Sequence, residues 1–126
     1  MRPPKIFESE YRFMLILWEN EPHSAAGLAA LCKERLGWSR TTTYTVIKRL
    51  SERGVVENRG GAVRSLVSKD QVQASEIDEL VEKTFEGSLP AFIAAFAHHR
   101  KLSEADRAAL LRLIDEADSE EGGEGS

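Results

Sequence analysis

The chain has 126 residues, of which 41% are hydrophobic, and its formal net charge is −4 at pH 7. This length allows one compact domain with a helical extension, and the apolar content is enough for a core. The longest apolar run, residues 13–18, is too short to cross a membrane, and the amino terminus lacks the apolar region of a signal peptide, so we expect a cytoplasmic protein. A single cysteine excludes an internal disulfide.

The charge is divided unevenly along the chain. Residues 1–69 hold 12 basic and 7 acidic side chains, a net of +5, whereas residues 70–126 hold 5 basic and 14 acidic ones, a net of −9. Because phosphate attraction depends on local charge, the basic half suits DNA despite the acidic total, and the acidic half should not contact DNA. We place the domain boundary near Lys69 and Asp70.

Two short amphipathic helices are predicted first. One begins near residue 8 and ends before Pro22, and the other covers about 25–36 with Ser24 and Gly37 as its caps. The side chains expected to face the core are Tyr11, Met14, Leu15 and Trp18 in the first helix and Leu28, Leu31, Cys32 and Leu36 in the second.

The third predicted helix, about 40–53, lies between Ser39 as amino-terminal cap and Gly54 as carboxy-terminal cap. Its first turns are rich in threonine, which is unusual on a solvent-facing surface because β-branched side chains lose rotamer freedom there. Threonine hydroxyl and methyl groups suit phosphates, base edges and the thymine methyl group. A polar, basic helix after a short turn is typical of a helix-turn-helix, so we predict that it enters a DNA major groove, the alternative being an ordinary helix with a threonine-rich start. The core face is expected to be Thr43, Val46, Ile47 and Leu50, and the DNA contacts Arg40, Thr41, Thr42, Tyr44, Thr45, Lys48 and Arg49.

Two short strands should follow, at 55–59 and 62–67, joined by a tight turn at Gly60 and Gly61. Arg59 and Arg64 flank that turn, where the wing of a winged helix would meet phosphates or a minor groove. The predicted fold is therefore mainly α with a small β-hairpin, namely a winged helix-turn-helix domain over residues 1–69.

The second half is predicted to be helical. One helix covers about 75–86 before Gly87, the next has Pro90 in its first turn, and Ser103 caps the last. These helices carry more apolar surface than they can cover themselves, so we expect a three-helix dimerisation region over 70–116, the alternative being that they fold back on the first domain. Residues 117–126 are acidic and glycine-rich, which predicts a disordered tail. The expected dimerisation residues are Ile77, Leu80, Val81, Phe85, Leu89, Phe92, Ile93, Phe96, Leu110 and Ile114.

Short motifs also occur in a definite order, namely Glu8-Ser9-Glu10-Tyr11 through Leu17-Trp18, Gly37-Trp38-Ser39, Thr42, Tyr44-Thr45, Lys48-Arg49-Leu50, Arg53-Gly54, Phe85-Glu86-Gly87-Ser88-Leu89 and Leu102-Ser103. In this order and spacing the chain resembles the penicillinase repressor family (BlaI/MecI-like, with a copper-responsive CopY-like branch) over roughly residues 6–116. The resemblance implies a homodimeric winged-helix repressor that binds a palindromic operator and dimerises through three carboxy-terminal helices. It also implies that the DNA contacts are carried by Arg40, Thr41, Thr42, Thr45 and Arg49.

The resemblance also bears on regulation. In the β-lactam branch a membrane metalloprotease sensor acts on the repressor at an Asn-Phe pair, which makes such a sensor an expected partner. The matching pair here is Ala95-Phe96, which keeps the phenylalanine and lacks the asparagine. The copper branch relies on a carboxy-terminal cysteine cluster, and this tail contains no cysteine.

Other chemistry is sparse in the sequence. His98 and His99 are adjacent, which on a helix points their rings about 100° apart and does not suit zinc. Cys32 has the spacing of a core residue. We expect no metal, no cofactor and no enzyme activity. Two other functions remain open, namely a winged-helix protein-interaction adaptor and a small-molecule-sensing regulator.

Overall fold

The computed structural model describes residues 2–124, and the side chains of residues 2–117. Over that range the elements follow the order α1 (Glu8–Asn20), β1 (His23–Ser24), α2 (Ala25–Leu36), α3 (Arg40–Glu52), β2 (Val56–Arg59), β3 (Ala62–Ser65), α4 (Lys69–Thr84), α5 (Leu89–His99) and α6 (Glu104–Glu124). The chain forms two compact units, Met1–Glu79 and Leu80–Ser126. Their division falls inside α4, whereas the sequence indicated a boundary near Lys69 and Asp70.

The core of the first unit is built around α1, which contacts α2, α3 and β3. Because it is packed on several sides, α1 buries Phe13, Ile16 and Leu17 along with Met14. Its predicted apolar stripe is confirmed in part: Met14 is buried, and Tyr11 and Trp18 are half-buried and pack against the core. Leu15 is only half-buried, and the fully buried Phe13, Ile16 and Leu17 lie outside the predicted stripe.

Local capping sets the bounds of α2 and α3. The Ser24 hydroxyl accepts a hydrogen bond from the Gly27 N–H at 3.0 Å, and α2 ends at Gly37 in the left-handed conformation, with φ at 71°. The Ser39 hydroxyl accepts from the Thr42 N–H at 3.1 Å to begin α3. The predicted bounds and caps of α2 and the amino-terminal cap of α3 are confirmed. Helix α3 ends at Glu52, one residue earlier than predicted, and its carboxy-terminal cap is Arg53, with Gly54 following at a φ of 77°.

The sheet has the order β1-β3-β2, with antiparallel pairs throughout. The predicted hairpin turn is confirmed, since Gly60 and Gly61 have φ values of 62° and 90°, which side chains rarely permit. Strand β1 was not predicted, because two residues are too few to show an alternating pattern.

Helix α4 begins at Lys69, earlier than the predicted residue 75. Ser68 and Gln71 form a capping box: the Gln71 N–H donates to the Ser68 hydroxyl at 3.0 Å, and the Ser68 N–H donates to the Gln71 side-chain oxygen at 2.8 Å. The added turn contributes Val72 to the core of the first unit.

In the second unit, Pro90 lies in the first turn of α5 and Ser103 precedes α6, as predicted. The amino-terminal cap of α5 is Ser88, which was not predicted. Helix α6 continues to Glu124 through Gly122 and Gly123, which are poor helix formers, because each residue added to an already nucleated helix gains a backbone hydrogen bond. The tail predicted to be disordered over 117–126 is therefore helical to Glu124, and its last two positions lie outside the described residues. No helix within residues 2–124 is long and apolar enough to span a bilayer.

Candidate nucleic-acid interface

Helix α3 has two distinct faces. The predicted core face is confirmed, since Thr43, Val46, Ile47 and Leu50 are buried. The 3.6-residue period of the helix leaves the other positions towards solvent. Every α3 residue that we expected to contact DNA is exposed, namely Arg40, Thr41, Thr42, Tyr44, Thr45, Lys48 and Arg49.

The start of α3 presents a small set of hydroxyl groups. The Ser39 and Thr42 hydroxyls lie 2.9 Å apart and share a hydrogen bond, which fixes the Thr42 side chain. The hydroxyls of Thr41 and Thr45 make no hydrogen bond within the described residues. The helix amino terminus also carries a partial positive charge, so this turn can receive an anion.

Three cations accompany these hydroxyls on α3. Arg40, Lys48 and Arg49 form no ion pair with any side chain that the structure describes, whereas other exposed arginines such as Arg12 and Arg35 pair with glutamates. Unpaired cations beside threonines leave their full charge for a phosphate or a base edge.

The hairpin places Arg59 and Arg64 on either side of one carboxylate. Arg59 Nη2 lies 2.6 Å from Glu57 Oε1, and Arg64 Nε lies 2.9 Å from Glu57 Oε2. The hydrogen bond from Arg64 holds the pKa of the Glu57 carboxyl below its ordinary value, and the charge of Arg59 acts in the same direction. Sequence reasoning missed Glu57, although the two-glycine turn fixes the register that pairs it with Arg64.

A cleft of about 490 Å³ lies between one face of α2, from Ala26 to Lys33, and the start of α3. It exists because α2 presents small side chains there, Ala26, Ala29 and Ala30, and its rim includes Lys33 and Arg40. Lys33 was also missed. Its spacing of one turn from the alanines was the available signal, since these positions share a helix face.

The residue that follows α3, Arg53, makes several contacts with the start of α1 and the residues before it. Arg53 forms an ion pair with the buried Glu10, donates to the Lys5 carbonyl oxygen at 2.8 Å, and lies over the Phe7 ring at 5.2 Å. Glu10 also accepts a hydrogen bond from the Phe7 N–H at 2.9 Å. These contacts fix the end of the helix that carries the exposed polar face.

In the second unit, apolar side chains of α5 and α6 line a groove of about 370 Å³, with Arg107 as a polar residue at its edge. Of the residues expected at a dimer interface, Val81 is buried within the protomer, and Phe85 and Phe92 are half-buried in contact with each other. The exposed members are Ile77, Leu80, Leu89, Ile93, Phe96, Leu110 and Ile114. Ala95 and Phe96 both lie within α5.

The remaining candidates for chemistry do not come together. Among the described residues, no three His, Cys, Asp or Glu side chains are close enough to hold a metal ion. Cys32 is confirmed as a core residue, and its burial raises the pKa of the thiol.

Comparison with known proteins identifies the family of the chain. The sequence matches the family model for penicillinase repressors over residues 6–116. The methicillin resistance regulatory protein MecI of Staphylococcus aureus strain Mu50 is 23% identical over 114 residues, which is 87% of this chain and 93% of MecI. A solved structure of a MarR/EmrR family transcriptional regulator from Acinetobacter sp. ADP1 aligns with a TM-score of 0.46 and 15% identity, over 94% of this chain and 77% of that one. Because the family match spans most of its length, the chain belongs to the penicillinase repressor family of winged-helix transcriptional regulators.

Proposed function

We propose that this protein is a homodimeric, sequence-specific repressor that binds a palindromic operator in the cytoplasm. Helix α3 would enter the major groove, and the wing, residues 55–67, would lie on the DNA backbone. The observation that carries the proposal is the exposed face of α3, where three cations and two threonine hydroxyls have no partner among the side chains that the structure describes. Side chains of these types read base edges and bind phosphates.

The dimeric state is part of the same proposal. Winged-helix and related proteins gain affinity when two copies bind two half-sites on one duplex. The exposed apolar residues of α5 and α6, such as Ile93 and Leu110, supply a surface that a second copy would cover. The acidic charge of residues 70–126 suits a role away from the phosphates.

The first test is fluorescence anisotropy with duplex DNA from the region upstream of the protein's own gene. The wild type is compared with Thr41→Ala/Arg49→Ala, and Arg35→Ala serves as the control because it removes an exposed arginine of α2 outside the proposed surface. We expect binding that weakens steeply between about 50 and 200 mM salt and prefers the operator over random duplex.

The double variant should lose this preference, and the control should keep it. Equal affinity of the wild type for upstream and random DNA would overturn the proposal. An intact dimer with no duplex affinity would instead favour the protein-interaction adaptor.

Release by proteolysis at Ala95-Phe96, through a membrane metalloprotease sensor, is a further part of the proposal. Phe96 is exposed, but a protease must open the α5 hydrogen bonds to bind the peptide in an extended form. Mass spectrometry of the repressor recovered from derepressed cells should find a new carboxy terminus at Ala95. Derepression with an intact chain would exclude this route.

A further inference from the structure

The solvent face of the wing carries three charged side chains in direct contact. Glu57 and Arg64 are cross-strand partners, and Arg59 lies two residues from Glu57 on the same face of β2. The exposed fractions of the side chains are 82% for Arg59, 57% for Arg64 and 21% for Glu57. The carboxylate thus lies beneath two guanidinium groups that reach into solvent.

This arrangement differs from that on α3. The cations of α3 have no carboxylate partner in the described part of the chain. Both wing arginines, in contrast, donate hydrogen bonds to the Glu57 carboxylate. With one negative and two positive charges, the wing cluster has a formal charge of +1. A phosphate that approaches the wing therefore meets half the charge that the two arginines alone would present.

We propose that Glu57 is a charge-balancing residue of the DNA-binding surface, whose carboxylate holds both wing arginines and weakens their attraction for phosphate. The inference rests on the proposed DNA-binding function and assigns a role to a residue outside the contact set. Binding to any duplex is then weaker and less salt-dependent than with two unpaired arginines, because fewer counterions are released when a paired arginine meets a phosphate.

A weakened attraction between the wing and phosphate can serve sequence selectivity. Phosphate contacts carry no sequence information, so a strongly basic wing would raise the affinity for every duplex equally. A repressor must find its operator among a large excess of other sites. A weak wing leaves α3 as the main source of affinity, and α3 is the element that can read bases.

The substitution Glu57→Gln separates charge from geometry, because glutamine keeps an oxygen that accepts from the arginines but loses the negative charge. The control is Glu34→Gln, which removes the same charge from an exposed position on α2. Affinity for operator and random duplexes is measured at several salt concentrations, and circular dichroism checks that each variant is folded.

We expect Glu57→Gln to bind both duplexes about 3- to 10-fold more tightly, with a salt dependence steeper by about one phosphate contact. Glu34→Gln should change affinity less than about 2-fold, since an exposed surface charge outside the wing cluster is screened by salt. In an Arg59→Gln/Arg64→Gln background, Glu57→Gln should have a much smaller effect. Unchanged or weaker binding by Glu57→Gln would overturn the inference, and in the weaker case Glu57 orients the arginines for DNA.

Should Glu57→Gln be unstable, Arg59→Gln and Arg49→Gln provide the same test. Loss of the paired Arg59 should reduce the salt dependence less than loss of the unpaired Arg49, and equal reductions would overturn the inference. A wild type that binds no duplex at all removes the proposed function and this inference together, whereas normal wild-type binding with an unaltered Glu57→Gln removes the inference alone.

Discussion

At the scale of single residues, Cys32 links the core to solution pH. Burial raises the pKa of its thiol above the ordinary value of 9.0, although a hydrogen bond with Thr43 partly opposes this shift. The unfolded thiol loses its proton at a lower pH than the folded one, so folding becomes less favourable as the pH rises above that value. At low and neutral pH both states keep the proton, and the contribution is constant.

We therefore expect the free energy of unfolding, measured by urea denaturation, to be lower at about pH 10 than at about pH 7. Cys32→Ala should remove part of this fall, even though the smaller side chain lowers stability at both pH values. The same pH dependence in the variant would show that other groups cause it.

Arg53 is the second residue with a defined energetic role. Removing its side chain in Arg53→Ala would leave the buried Glu10 carboxylate without its cation. We expect a loss of about 2–3 kcal/mol in urea denaturation, towards the low end for a buried pair because the guanidinium is partly exposed. The double variant Glu10→Gln/Arg53→Met should be more stable than Arg53→Ala. If Arg53→Ala unfolds as the wild type does, the pair contributes nothing to stability.

At the scale of elements, we expect the Ser39 cap to contribute to both stability and the proposed DNA binding. Ser39→Ala removes the acceptor for the Thr42 N–H and the hydrogen bond that fixes the Thr42 hydroxyl. We expect a stability loss of about 1 kcal/mol and weaker binding to operator DNA. Ser24→Ala is the matched control, because it removes the equivalent cap of α2 and should cost similar stability with little change in affinity. Equal losses of affinity in the two variants would mean that the Thr42 hydroxyl plays no part in binding.

The elements also show what the sequence could reveal. The bounds of α2 and α3 were predictable, because Ser24, Gly37 and Ser39 cap them through contacts a few residues apart. The buried face of α1 was not, because it depends on how many neighbours pack around that helix. The start of α4 was missed because its first turn is polar, apart from Val72, and a capping box rather than an apolar stripe defines it.

The candidate site was predictable to a similar degree. The exposed residues of α3 follow from helical period alone, and all of them are where that period places them. Contacts between elements did not follow from local patterns: the cleft beside Lys33 requires α2 and α3 to be packed, and the Glu57 cluster requires the strand register. The Gly60-Gly61 turn fixes the register that pairs Glu57 with Arg64, so this contact is encoded locally in the hairpin.

At the scale of the whole molecule, the exposed apolar surface of the second unit predicts how the protein associates. Ile93 is 52% exposed in the protomer and lines the groove between α5 and α6. We expect Ile93→Glu to leave the helical content unchanged but to shift the protein from dimer to monomer in analytical ultracentrifugation, because burying a carboxylate at an apolar interface is costly. Ala94→Glu adds the same charge on another face of α5 and is the control. A wild-type monomer, or a dimer that tolerates Ile93→Glu, would exclude the proposed interface.

The division of the chain inside α4 bears on what a cut further along would do. Val72 belongs to the core of the first unit, and all of α4 precedes the bond between Ala95 and Phe96. A break at that bond would leave the first unit with its complete core and with α3, but would separate it from α6. In the proposed dimer, the loss would then be one of effective concentration. Two first units that are no longer tethered would each have to find a half-site alone, and occupancy would fall without any protein unfolding.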